Sequence, residues 1–131
     1  MLYIIADMNT NKSVRDLAME IVKIKQKLLA LGPMHPGSVS QQYQACGNPT
    51  CRCMHPKHPR RHGPYYKLAY VYHGHPVCRF VRAASVANIK ERLATYKVFR
   101  KLIDRWVWLS IQQGTIEFFS KTTNNPAQKP K

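Results

Sequence analysis

The stretch from Cys46 to Tyr66 (Cys-Gly-Asn-Pro-Thr-Cys-Arg-Cys-Met-His-Pro-Lys-His-Pro-Arg-Arg-His-Gly-Pro-Tyr-Tyr) constrains this chain more than any other. It holds three of the four cysteines and three of the six histidines. Its first seventeen residues contain almost nothing that could build a core, so something other than apolar burial has to hold them. Cys46, Cys51 and Cys53 place three thiols within eight residues, and Gly47 and Pro49 between them favour a tight turn. Three thiols in a tight turn suit zinc, which is closed tetrahedrally by four ligands when structural. The fourth ligand comes from His62, His58 or Cys78, ranked in that order, because His62 lies at the entry of a strand pair and can return the loop to its start. His55, two residues from Cys53, is too close in sequence to serve the same ion comfortably. A closed set of three thiolates and one imidazole makes a structural knuckle, and no catalytic residue is assigned.

Charge sets the second constraint. The chain of 131 residues carries 21 Lys and Arg against 6 Asp and Glu, a formal +15. No acid lies between Ile21 and Lys90, the span that contains the knuckle. Arg52, Lys57, Arg60 and Arg61 sit on the knuckle, and Lys67, Arg79 and Arg82 follow it. An uncompensated positive field attracts polyanions. With Tyr65, Tyr66 and Phe80 available to stack on unpaired bases, the expected partner is nucleic acid, DNA or RNA, bound with weak sequence specificity because no base-reading helix is identifiable. The same lack of acids argues against an enzyme: a hydrolytic metal site needs an open coordination position and a nearby carboxylate.

The flanking segments read as regular structure. Leu17, Ile21, Ile24, Leu28 and Leu31 recur at steps of three and four, which predicts an amphipathic helix over residues 10–31, capped by Asn11 or Ser13 and stopped at Gly32-Pro33. Ser38–Ala45 alternates as a strand leading into Cys46. Tyr65–Tyr72 and Val77–Arg82 form the best β signal, with a turn at His73–Pro76. Taking Gly74-His75 as the two loop residues sets Tyr72 against Val77, Tyr70 against Arg79 and Leu68 against Val81. One face is then mostly core, and the other carries Tyr65, Lys67, Cys78, Phe80 and Arg82. Residues 85–113 read as a long helix, capped by Ser85, which either breaks near Thr95–Lys97 or projects to pair with another chain, and Gly114 is its natural stop. The fold class is therefore α+β: a zinc-knuckle loop and a β-hairpin, extended to three strands if Ser38–Ala45 pairs, between an N-terminal helix and a long C-terminal helix. The expected organisation is an N-terminal extension over 1–9, one domain over 10–114 and a polar, partly disordered tail over 115–131.

No run of 18 apolar residues exists, so no membrane partner is expected. Met1–Asn9 has a short apolar patch without a basic lead and is too short for a signal peptide, which points to the cytoplasm, where clustered cysteines favour metal over disulfide. The crowding of Trp106, Trp108, Leu109 and Ile111 on more than one helical face leaves an alternative function: a protein-interaction module that forms a homodimer or takes a partner helix through residues 85–113.

The run Pro36-Gly-Ser-Val-Ser-Gln-Gln-Tyr43, then Cys46-Gly47 with Cys51-Arg52-Cys53, then His62-Gly-Pro-Tyr-Tyr66, resembles an uncharacterised bacterial and archaeal family, a domain of unknown function often encoded near mobile elements and transposases. The resemblance spans roughly residues 20–112. It implies that Cys46, Cys51, Cys53 and His62 are the ligand set, and it implies no activity. The Leu2–Ile5 extension and the added histidines His55 and His58 depart from the family's pattern.

Overall fold

A computed structural model describes residues 12–119. The readings of Leu2–Ile5 and of Thr122–Lys131 fall outside them. The architecture is α+β: helix α1 (Val14–Leu29), strands β1 (Ser38–Gln44), β2 (His62–Tyr72) and β3 (His75–Val81), and helix α2 (Val86–Phe119), with 3-10 turns at Arg52–Met54 and Ala83–Ser85. The described residues divide into two compact units, one of residues 12–31 and 99–119, the other Gly32–Val98. Among the described residues no helix is long and apolar enough to cross a membrane.

In the first unit α1 begins at a capping box. Ser13 Oγ accepts from the Asp16 amide while the Asp16 carboxylate accepts from the Ser13 amide, so two amides that a helix start leaves open are satisfied reciprocally. The apolar stripe of α1 is core, as its spacing predicts. Leu17, Ile21 and Ile24 are buried together with Leu109 of α2, and Leu28, Leu102, Trp106 and Ile116 pack around them. Each fully buried aliphatic side chain contributes about 1.5–3 kcal/mol. Glu20 accepts from Lys12 and Arg105 at the edge of this contact.

The 34 residues of α2 form one continuous helix, about 50 Å long at 1.5 Å per residue. The break foreseen near Thr95–Lys97 is absent: the Thr95 hydroxyl donates to the Glu91 carbonyl at 3.0 Å, and so finds its partner without leaving the helix. Nor does Gly114 end it. A mid-helix glycine costs about 1 kcal/mol, but continuation carries Ile116 onto the core beside Leu17 and Leu109, and that burial outweighs the cost.

In the second unit the strands form an antiparallel sheet in the order β1-β2-β3. The hairpin register corrects the expected one by two residues: Tyr72 pairs with His75, Tyr70 with Val77, Leu68 with Arg79 and Tyr66 with Val81. The loop is His73-Gly74, with φ of +49° and +76°. Positive φ at both positions is the type I′ turn, whose twist suits a hairpin; glycine adopts it freely and histidine more readily than most residues. A slip of two leaves each side chain on its expected face. On β1, Ser40 pairs with Lys67 and Gln42 with Tyr65, and an irregularity follows before Gln44 meets His62. At the entry to β1, Gly37 has φ of +107°, and a Cβ there would lie 2.1 Å from the Ala69 carbonyl oxygen, so the close approach of the two strands requires glycine.

Candidate metal centre

The loop between β1 and β2 is folded by short-range hydrogen bonds. The Asn48 side-chain oxygen accepts from the Thr50 amide at 3.1 Å and the Thr50 hydroxyl at 2.9 Å, and its backbone carbonyl accepts from the Cys51 amide at 3.0 Å. This Asx-type turn aims Cys51 into the 3-10 turn Arg52–Met54, which places Cys53 on the inside. The Arg60 amide then donates to the Arg52 carbonyl at 3.0 Å and returns the chain towards its start. β2 begins at His62, opposite Gln44, two residues before Cys46. Sheet pairing thus brings the histidine of the second strand to the cysteines that follow the first.

The four side chains converge. One ligand atom from each of Cys46, Cys51, Cys53 and His62 lies within 4.8 Å of all the others. Cys46 and Cys53 Sγ are 3.4 Å apart, and Cys51 Sγ is 3.1 Å from His62 Nε2. Zinc–sulfur arms of about 2.3 Å set tetrahedral edges of about 3.8 Å; the close pairs lie a few tenths of an ångström inside that and the 4.8 Å limit outside it, and the sulfur pair is far longer than the S–S bond of about 2.05 Å in a disulfide. All four cysteines are free. Cys53 is 3% exposed, the one buried side chain of the knuckle. The cluster could hold a metal ion, and three thiols with one imidazole suit zinc.

The electrostatics of the cluster follow from this crowding. The Cys46 thiol is lowered to about 6, chiefly by its hydrogen bond with the Asn48 backbone and further by Cys53, His62 and Cys51. His62 is raised, because Cys46 and Cys51 hydrogen-bond its ring. At Cys53 the donated Cys46 amide favours thiolate, yet burial and the neighbouring thiols push the group up. The shifts at Cys46 and His62 both favour the charged forms, thiolate and imidazolium, and a bound metal ion would take the place of the protons on both.

The other expected ligands are placed elsewhere. His55 Nδ1 accepts from the Lys57 and His58 amides at 3.2 and 3.0 Å, and its ring stacks on that of His58. Both histidines shape the turn and stay outside the cluster. Cys78 is exposed on β3, opposite Ala69.

The basic residues divide. Arg52, Lys57, Arg60 and Arg61 are exposed on the knuckle. Tyr65 and Lys67 lie on the outer face of the sheet with Phe80. Arg79 is opposite Leu68, on the other face. Arg82 leaves the strand as the residue before the Ala83–Ser85 turn and lines a cavity of about 550 Å³ with His35, Leu68 and Arg92. Alternation along β3 would have put Arg82 beside Phe80, but alternation holds only while the strand lasts, and β3 ends at Val81. Residues 14–91 match the domain of unknown function DUF6788, more than half of the chain. The chain belongs to this family. The matched segment contains α1, the whole sheet, the knuckle and the start of α2. No curated protein and no solved structure matches it.

Proposed function

We propose that this member of the DUF6788 family is a small zinc-stabilised nucleic-acid-binding protein in which the metal shapes the loop and the loop's cations make the contact. The observation that carries this reading is the sorting of side chains in the knuckle. Cys46, Cys51, Cys53 and His62 converge to within 4.8 Å of one another, while Arg52, Lys57, Arg60 and Arg61 are exposed around them. Three thiolates with Zn²⁺ leave a net charge of only −1, so the positive field survives metal binding. Glu91 is the one acid in the sequence of the unit Gly32–Val98.

In this reading the protein is a binder and not an enzyme: four protein ligands fill the tetrahedral shell and leave no position for a substrate. An accessory or regulatory role in a mobile-element context is the setting we propose, on the family resemblance carried by Cys46, Cys51, Cys53 and His62 with Gly63-Pro64-Tyr65-Tyr66. The test is fluorescence anisotropy with labelled DNA and RNA at several salt concentrations. Neutralising about five phosphates makes log affinity fall with a slope of roughly −3.5 to −4.5 against log salt. Absence of binding at about 50 mM salt, where such contacts are strong, overturns the reading.

A second reading is favoured by the C-terminal half of α2. Val107, Ile111, Phe118 and Phe119 are all at least half exposed and flank a groove of about 500 Å³ floored at Ser110 and Gly114. An apolar strip of this kind suits a second copy of the helix. Sedimentation equilibrium tests it: a strict monomer at high concentration removes it.

A further inference from the structure

We propose that the outer face of the sheet is a stacking platform for a single-stranded polynucleotide, with Tyr65 and Phe80 as the base-contacting rings and Lys67 as the phosphate contact; this rests on the nucleic-acid reading of the knuckle and names the form of the ligand.

The pairing of the strands builds the platform. Lys67 stands opposite Phe80, and on the other side of β2 Ser40 stands opposite Lys67 and Gln42 opposite Tyr65. Tyr65 and Phe80 are diagonal neighbours across β2 and β3. Their rings meet edge to face at 6.3 Å and 72°. Lys67 Nζ lies over the Phe80 ring, 5.5 Å from its centre, so the ring face is already a cation–π surface, and a base that takes the lysine's place leaves the ammonium within reach of that nucleotide's phosphate. The rings are not core. Phe80 is 60% exposed and Tyr65 42%, whereas Leu68 and Val81 on the opposite face turn towards Ile89 of α2. Large rings left in water beside Lys67, with hydroxyl and amide groups on the adjoining strand, match the chemistry of a nucleotide: a flat π surface, polar edges and a phosphate.

The geometry favours a single strand. In a duplex the base faces are stacked on one another and only phosphates and groove edges reach a flat protein surface, whereas unpaired bases can lie on aromatic rings. Continuity with the knuckle adds to this. Tyr65 is three residues from His62, about 10 Å along an extended strand, so one backbone can cross the rings and reach Arg60 and Arg61. Lys67 on this face and the exposed Arg60 and Arg61 at the foot of β2 select a polyanion over an apolar partner.

The test compares a single strand of about 12 nucleotides, as DNA and as RNA, with the DNA duplex of the same sequence, a length within the span that such platforms cover. The wild-type, zinc-loaded full chain is expected to bind at least one of the single strands more tightly than the duplex. Phe80→Ala should weaken single-strand binding about 5- to 150-fold, the range seen when one stacked base loses its aromatic partner, with the salt slope and duplex binding unchanged. Phe80→Tyr should retain binding, and Phe80→Leu, which keeps the apolar bulk without the ring, should be as weak as alanine. Tyr65→Leu is the independent variant. Both positions are exposed, so circular dichroism should be unchanged in all four. A duplex bound as tightly as either single strand, or a Phe80→Leu protein that binds like wild type, overturns the platform while leaving the polyanion reading intact. Wild-type protein that binds neither form at low salt overturns both. Dissociation of a protein dimer by Phe80→Ala, without any strand preference, assigns the face to a second copy and also overturns the proposal.

Discussion

Removal of metal should unfold the knuckle and leave the helix pair standing. From Cys46 to Arg61, sixteen residues, the one buried side chain is Cys53. Ordering their backbone costs about 1–2 kcal/mol per residue, so about 16 kcal/mol at the least. The backbone hydrogen bonds internal to the loop run from Cys51 to Asn48, Met54 to Cys51, His55 to Arg52 and Arg60 to Arg52. At about 1 kcal/mol each they offset about 4 kcal/mol. The remaining deficit, at least about 12 kcal/mol, is of the size that a structural zinc contributes to small zinc-dependent folds, roughly 10–16 kcal/mol. Metal binding and loop folding are then one event. The assay is amide hydrogen exchange of the reduced protein with zinc and after chelation. Amides of residues 51–60 should be protected with metal and exchange at unfolded rates without it, whereas α1, whose side chains Leu17, Ile21 and Ile24 are buried with Leu109, should keep its protection. Cys53→Ala should mimic chelation even with zinc present. Equal protection of the loop in both states would refute the argument, because it would show that short-range hydrogen bonds suffice.

Leu109 is fully buried, so Leu109→Ala should destabilise the helix pair by about 2–5 kcal/mol, read as a lower urea midpoint. Gly37→Ala should destabilise the sheet by more than the about 1 kcal/mol usual for a point change, since φ of +107° and the Ala69 carbonyl both exclude a Cβ; a melting temperature equal to wild type would contradict this. Glu20 is held below the ordinary carboxylate range, first by its hydrogen bond from Lys12, against some desolvation, and then by the charges of Lys12 and Arg105. A carboxyl depressed on folding stabilises above its unfolded value near 4.3 and loses that contribution as pH falls through its folded value. Glu20→Gln should therefore be less stable than wild type at neutral pH, and the two urea curves should converge as the solution is acidified below the usual carboxyl range.

Local chemistry was the legible part of this chain. The spacing of Cys46, Cys51 and Cys53 marks three of the clustered side chains because a turn brings them together, whereas the fourth stays open between His62, His58 and Cys78 until the family resemblance favours His62, which sheet pairing then brings to the cysteines. The α1 stripe and the Ser13 cap were equally local. Other features depend on partners distant in sequence or on where an element ends. Gly114 has the propensity of a stop, and only Ile116, packed among residues contributed by α1, shows why the helix continues. The hairpin slip arose because His73, a non-glycine residue, accepts positive φ, and a pattern search reaches first for the glycine and the proline nearby. The alternation that placed Arg82 beside Phe80 failed at the last residue of β3, where the chain turns into the helix.

One structural zinc held by Cys46, Cys51, Cys53 and His62 is the proposal on which the loop's folding and its exposed cations both depend. X-ray absorption at the zinc edge, on the reduced full chain with its metal content measured in parallel, tests this most directly. The account predicts one zinc per chain, three sulfur neighbours at about 2.3 Å and one nitrogen at about 2.0–2.1 Å, with His62→Ala removing the nitrogen. A first shell with oxygen or nitrogen neighbours in place of the three sulfurs, or a protein folded through the knuckle with no bound metal, would contradict it.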